Sequence, residues 1–261
     1  MFKKSLKQIF TQPLMVLPLF LCNLFSKITL PVKREIGLDN GIPDLNSIIQ
    51  TYSSEIMTGF LMFVLLIFIS PYLTAWANLM IKDKALKDNI DFKGSFKEAS
   101  KYYLKVLVVS IALIMGLIIY VVAFLLIIIS LFYVADNGSV GIFIIGIIFF
   151  ILILVFLSIL VTPVIPILVV DNEGFTGAFK KSFKFGLTNF FNILGVFVFT
   201  FIIIAIANII FTKVEFMQTI FNSYFSTLVT VYIINKYVED KICCEVNRSE
   251  ITVSNDGTLI E

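Results

Sequence analysis

Three short segments combine lysine with phenylalanine and leucine in nearly the same order. They read FKKSLK at 2–7, FKGSFK at 92–97 and FKKSFK at 179–184, at intervals of about 90 residues. In each hexapeptide two apolar residues lie four positions apart, and a lysine directly follows each of them. On a helix this spacing produces an apolar stripe beside a basic stripe, which is typical of helices lying in the headgroup layer of a membrane. The chemistry that it predicts is noncovalent binding of anionic lipid headgroups.

We expect the lysines that directly follow the apolar positions of the hexapeptides, with one that extends the second copy, to form a surface for lipid or a partner protein. These are Lys3, Lys7, Lys93, Lys97, Lys101, Lys180 and Lys184. The recurrence has a second interpretation, because cytosolic segments next to membrane helices are commonly rich in lysine and aromatic residues. True internal repetition therefore stays open, whereas the interfacial-helix prediction holds under both interpretations.

Side chains for most catalytic chemistry are missing from the sequence. The chain has no histidine, which excludes Ser-His and Cys-His catalysis and histidine-based metal sites. Its three cysteines are Cys22, in an apolar stretch, and the adjacent Cys243 and Cys244, which cannot supply a four-ligand metal site. We therefore expect no enzymatic activity, no cofactor and no metal, and we predict no nucleic-acid partner.

Polar side chains form two stripes inside otherwise apolar stretches. One stripe is Ser70, Thr74 and Asn78, and the other is Gln218, Asn222 and Ser226, with Thr219, Ser223 and Thr227 beside it. Such stripes either hold membrane helices together or line a path for a solute or lipid. No carboxylate lies in the middle of an apolar stretch, which weakens the case for a proton-coupled pump.

Composition determines which elements must carry these residues. The 261 residues are 59% hydrophobic and 15% charged, more apolar surface than one water-soluble core can bury. Six apolar stretches reach the roughly 20 residues that a helix needs to cross a bilayer. They lie at about 13–30, 56–81, 106–133, 139–170, 187–211 and 216–234. The sequence thus predicts an all-α polytopic membrane protein with six transmembrane helices.

The distribution of lysine and arginine predicts the orientation. With the amino terminus inside, sixteen of the 20 basic residues fall on the cytosolic side, so the positive-inside rule favours two cytosolic termini in the plasma membrane. The helices then form three hairpins, each preceded by a cytosolic interfacial entry helix. We predict a transmembrane domain over 1–238 and a short, flexible cytosolic tail over 239–261.

Three longer segments carry a family resemblance. They are FKKSLKQIFTQPLMVLPLF, FKGSFKEASKYYLK and VVDNEGFTGAFKKSFKFGLTNFF. Their order resembles that of uncharacterised bacterial six-helix proteins related to the membrane domain of glycerophosphoryl diester phosphodiesterase. The resemblance covers residues 1 to about 241, and its most telling positions are Asp171, Gly174, Ala178, Lys180 and Ser182. Only about 20 residues follow, so the resemblance implies the membrane module without the catalytic barrel.

Two functions from different classes are consistent with these observations. The first is a non-catalytic membrane protein that binds or organises lipid, or a partner protein, at the cytosolic face. The second is a small permease for a solute or lipid that uses the polar stripes on helices two and six. A hydrated cavity lined by Asn78 and Asn222 would favour the permease, and a tightly packed bundle with a lipid-filled groove would favour the first function.

Overall fold

The computed structural model describes residues 1–29, 45–134 and 140–256, and every regular element within them is helical. The helices are α1 (Phe2–Thr11), α2 (Leu17–Thr29), α3 (Leu45–Lys87), α4 (Phe92–Val134), α5 (Val140–Val161), α6 (Val164–Asp171), α7 (Phe175–Thr188), α8 (Phe190–Ile210) and α9 (Glu215–Asp256), and a 3-10 turn, Pro13–Val16, joins the first two. The predicted all-α fold is confirmed.

Several helices are long and apolar enough to cross a membrane. Four single segments qualify: Met57–Lys87, Phe92–Ser130, Ile144–Asp171 and Phe190–Ile210. A fifth candidate combines α1 with Pro13–Ser26, across a bend of 95°. Within the described ranges α9 does not qualify, because its polar residues dilute its apolar ones. The structure therefore supports a membrane protein with four or five helices of spanning character.

The breaks between helices follow from particular residues. Pro13 opens the turn that separates α1 from α2, and Pro163 lies between α5 and α6, where its missing N–H interrupts the helical hydrogen bonding. Asp88 and Asn172 each adopt φ of 54°, a left-handed conformation that Asp and Asn tolerate better than most residues. These two residues end α3 and α6, and the second and third hexapeptides begin shortly after them.

Helix α9 lies at the centre of the bundle. It contacts α1, α2, α3, α6 and α8, and its buried apolar side chains are Leu228, Val231, Tyr232, Ile233, Ile234 and Val238. The helix continues without interruption to Asp256, into the segment for which the sequence predicts a flexible tail. Much of the apolar core is thus built around a helix that is less hydrophobic than α2, α3, α6 and α8.

Helices α4 and α5 are the least enclosed part of the bundle. The most apolar stretch of α4 contains no buried residue, and α4 packs mainly against α3. It meets α5 at Tyr120, whose ring stacks on that of Phe150 at 4.9 Å. By contrast, α2 packs closely on α3, and α8 packs on α9. The surface between α4 and α5 is therefore open, whereas the α2–α3 and α8–α9 pairs are closed.

Candidate lipid-binding surface

Each hexapeptide is anchored to the bundle by a buried serine. The three serines are Ser5, Ser95 and Ser182, each at most 1% exposed. Ser5 Oγ accepts a hydrogen bond from Asn235 Nδ2 at 3.0 Å. Ser95 Oγ donates to Asp83 Oδ2 at 2.9 Å, and Ser182 Oγ donates to the Leu160 carbonyl at 2.6 Å. Every partner lies on a different helix from its serine, so these bonds fix the rotation of each basic segment.

The inner face of each segment continues one turn beyond the serine. The residues four positions later, Ile9, Ala99 and Gly186, are also buried. The first phenylalanine of each copy is half-buried, and all three of them, Phe2, Phe92 and Phe179, pack against the same apolar cluster. The three hexapeptides are thus attached to one continuous core in equivalent orientations.

The predicted lysines lie on the opposite, solvent-facing side of these segments. All seven, Lys3, Lys7, Lys93, Lys97, Lys101, Lys180 and Lys184, are exposed. None of them is paired with a carboxylate among the residues that the structure describes, in contrast to Lys87, Lys181, Lys236 and Lys241. The structure therefore separates lysines that stabilise the fold from lysines whose charge is available to a ligand.

A cluster around Asp171 joins three helices beside this surface. The Asp171 side chain is only 5% exposed and accepts hydrogen bonds from Lys181 Nζ at 2.5 Å, Tyr237 Oη at 2.6 Å and Lys241 Nζ at 3.1 Å. Burial, and then the bond to Asp171, raises the pKa of Tyr237. Hydrogen bonds to Asp171 and Glu173 raise the pKa of Lys181. Both side chains consequently keep their protons at neutral pH and lock α6, α7 and α9 together.

The stripe predicted on helix two belongs to α3. Asn78 is 2% exposed, and its Nδ2 donates to the Thr74 carbonyl of the same helix at 2.7 Å. Ser70 and Thr74 are half-buried. The Asn78 Oδ1 atom is buried and has no hydrogen-bond partner among the described residues.

The stripe predicted on helix six belongs to α9, and its three residues have different surroundings. Gln218 Nε2 donates to the Asn208 carbonyl of α8 at 3.2 Å. Asn222 is half-buried, and its Oδ1 has no partner in the described part of the chain. Ser226 is exposed. The stripe as predicted is therefore not one continuous buried row.

The buried polar row of α9 lies one position further along the sequence. It consists of Thr219, Ser223 and Thr227, each at most 3% exposed, and each hydroxyl donates to the carbonyl four residues earlier. Ser223 Oγ also accepts a hydrogen bond from Asn23 Nδ2 of α2 at 2.9 Å. This row accordingly contributes to helix packing.

Two features of the site escaped the sequence analysis. The anchoring role of the serines was not predicted: Ser182 was named only for the family resemblance, and Ser5 and Ser95 were not named. The serine nevertheless occupies the same position in all three hexapeptides, which is a usable signal. Tyr237 gave no such signal, because 66 residues separate it from Asp171 and no local spacing relates the two.

Comparison with known protein families identifies the family of the chain. A family model described as "Domain of unknown function (DUF7847)" matches residues 2–238. No curated protein and no solved structure is significantly similar to the chain. The match includes all three hexapeptides, Asp171 and Tyr237. Because it covers nearly the whole described bundle, the chain belongs to the DUF7847 family.

Proposed function

We propose that this protein is a non-catalytic integral membrane protein that binds anionic lipid headgroups at the cytosolic face of the plasma membrane. There it organises lipid, or a partner protein that carries the same negative charge. The observation that carries the proposal is the set of exposed hexapeptide lysines without a carboxylate partner among the described residues, on segments that three buried serines attach to the bundle. Each lysine near an anionic leaflet contributes on the order of 1 kcal/mol of attraction, so several of them on one face favour acidic lipid. The resemblance to the phosphodiesterase membrane domain is part of the same proposal.

The proposed topology has six crossings and two cytosolic termini. It is supported by contacts that link the basic segments to the second half of α9. Asn235 bonds to Ser5 of α1, and Tyr237 and Lys241 bond to Asp171 beside α7. About 20 residues at a rise of about 1.5 Å each cover the hydrocarbon thickness, so the part of α9 before Asn235 is long enough to be the sixth crossing.

The test replaces the lysine that follows the first phenylalanine in each hexapeptide. We expect the triple variant Lys3→Gln, Lys93→Gln, Lys180→Gln to retain several-fold less anionic phospholipid than the wild type. Each lost charge removes on the order of 1 kcal/mol of headgroup attraction. Phospholipids that co-purify in mild detergent are quantified by mass spectrometry. The matched triple arginine variant keeps the charge and should behave as the wild type. Unchanged lipid in the glutamine variant would refute the proposal.

The permease remains a second candidate because of one observation. Asn78 Oδ1 and Asn222 Oδ1 are buried and have no partner among the described residues. An unpaired amide oxygen in hydrocarbon costs several kcal/mol, so water or a solute would stabilise both. A path for a polar solute along α3 and α9 would provide such contacts.

Cysteine accessibility separates the two candidates. In a Cys22→Ala, Cys244→Ala background, we expect Asn78→Cys and Asn222→Cys to resist a charged, water-soluble thiol reagent. Protein encloses Asn78 almost completely, and Asn222 is half-buried in the proposed sixth crossing, where a charged reagent would have to enter hydrocarbon. The exposed Cys243 remains as the internal positive control. Modification of both introduced cysteines as fast as Cys243 would instead favour the permease.

A further inference from the structure

A groove of about 320 Å³ lies between α4 and α5. Its walls include Ala112, Gly116 and Leu117 of α4, Leu154 and Leu157 of α5, and Phe179 of α7. Leu117 and Leu157 are exposed, so the groove opens sideways toward the region that lipid occupies. No residue in the most apolar stretch of α4 is buried by protein.

The groove has two aromatic ends. At one end Tyr120 stacks on Phe150, and its hydroxyl donates to the Phe150 carbonyl at 3.0 Å. At the other end lies Phe179 of the third hexapeptide, whose ring is 4.8 Å from that of Phe175. The α4 wall between Ala112 and Tyr120 is about 12 Å long at a rise of about 1.5 Å per residue. The groove is therefore a bounded slot.

The polar groups in the walls are already satisfied. Besides the Tyr120 hydroxyl, the wall contains Ser158, whose Oγ donates to the Leu154 carbonyl of its own helix at 2.8 Å. The remaining wall side chains are apolar. A polar occupant would therefore find no free hydrogen-bonding group in the walls, whereas a hydrocarbon chain can fill the slot and make van der Waals contacts with its apolar side chains.

The α4 wall of the groove continues into two lysines. Lys105 and Lys101 precede Ala112 by seven and eleven residues, which places both within about 20° of Ala112 around the helix. Lys105 Nζ contacts Asn172 Oδ1 at 3.0 Å and two backbone carbonyls of the α6–α7 loop. These oxygens are uncharged, and neither lysine has a carboxylate partner in the described part of the molecule. Positive charge therefore lies just beyond the Phe179 end of the slot.

From this juxtaposition we propose that the groove binds one acyl chain of an anionic phospholipid, whose phosphate contacts Lys101 and Lys105. The rise from Lys105 to Ala112 is about 10 Å, which leaves room for the glycerol backbone between phosphate and chain. The inference rests on the proposed function and adds a defined site to it. A free anion would bind only the lysines, and a neutral lipid would fill only the slot. An anionic phospholipid can do both.

The test blocks the slot without disturbing the fold. A Cβ atom at Gly116 would meet no atom within 4 Å, so Gly116→Leu fills the groove without a steric conflict. Gly59 of α3 has equally open surroundings and lies outside the groove, so Gly59→Leu is the matched control. Ala112→Leu is a second blocking variant, one helical turn away.

The probe is phosphatidylglycerol with a diazirine on one acyl chain, present in trace amounts in phosphatidylethanolamine vesicles that contain the full-length protein. After illumination, crosslinked peptides are mapped by mass spectrometry. We expect adducts at 112–120 and 154–161 in the wild type and Gly59→Leu, and a several-fold loss of them in Gly116→Leu and Ala112→Leu. The same diazirine chain on phosphatidylcholine should label the groove less. The variant Lys101→Gln, Lys105→Gln should abolish that preference.

The results distinguish the inference from the proposed function. Equal groove labelling in wild type and both blocking variants, or equal labelling by the two lipids, would overturn the inference. If the hexapeptide glutamine variant still loses anionic lipid in that case, the proposed function stands and only the groove is wrongly assigned. If the groove is labelled as expected while that variant retains its lipid, the inference stands and the hexapeptide function fails.

Discussion

Replacement of Gly186 by leucine is expected to destabilise the protein by about 3 kcal/mol, the upper part of the range for overpacked cores. A Cβ atom at Gly186 would lie 3.0 Å from Leu160 Cα and 3.2 Å from the Ile159 carbonyl oxygen. These are backbone atoms of α5, which cannot rotate away as a side chain can. The contact lies one turn after Ser182, so the larger residue would also separate Ser182 from the Leu160 carbonyl. Thermal unfolding in detergent measures the loss of stability in the Gly186→Leu variant.

Gly177 on the same helix provides the control for this change. Its Cβ atom would approach the carboxylate end of Glu173, a flexible side chain at the surface, so Gly177→Leu should cost far less than Gly186→Leu. Equal melting temperatures for the two leucine variants would show that α7 does not approach α5 as closely as described, and would remove the explanation for the buried Ser182.

The second large effect is expected for Asp171→Asn, which should lower the free energy of unfolding by about 2 kcal/mol, in the range for hydrogen bonds to charged groups. Asparagine keeps the shape but replaces one acceptor oxygen by an amino group and removes the negative charge. Lys181, Lys241 and Tyr237 would then compete for a single neutral oxygen. The melting temperature and chemical denaturation of the variant measure this cost.

Glu173→Gln tests whether the stability cost of Asp171→Asn arises from the burial of the Asp171 carboxylate. Glu173 is 35% exposed and pairs with Lys181, so its loss should cost no more than the roughly 0 to 1 kcal/mol of a surface ion pair. A cost for Asp171→Asn as small as that for Glu173→Gln would mean that the Asp171 cluster does not hold α6, α7 and α9 together.

Much of the helical architecture could be predicted because hydrophobicity and length are local properties of a sequence. The sequence stretches that form α3, α4, α5 and α8 are long runs of apolar residues, and each contributes to a helical segment long and apolar enough to span a membrane. The central position of α9 was harder to predict, because its burial depends on neighbours that are distant in the chain. Its Thr219, Ser223 and Thr227 are tolerated in the core since their hydroxyls bond to carbonyls of their own helix.

The candidate surface could be predicted in part. The spacing of lysine and apolar residues predicted helical segments with a basic stripe; the segments are helical, and the predicted lysines lie on exposed faces. The spacing could not show which side of each helix is attached to the bundle. That orientation depends on Ser5, Ser95 and Ser182, whose partners are up to 230 residues away. The spacing placed Lys180, and not its neighbour Lys181, in the basic stripe, but it could not show that Lys181 pairs with Asp171.

The most direct measurement of headgroup binding compares spin-labelled phosphatidylglycerol and phosphatidylcholine around the wild-type protein in bilayers. Spectra separate lipid immobilised by the protein from bulk lipid. Raising the salt concentration from about 0.01 to 1 M shortens the Debye length from about 30 to 3 Å, so it screens exposed lysines strongly. We predict a several-fold excess of immobilised anionic lipid at low salt that shrinks as salt rises. Equal immobilised fractions of the two lipids at low salt would contradict the proposal that the hexapeptide lysines bind anionic headgroups.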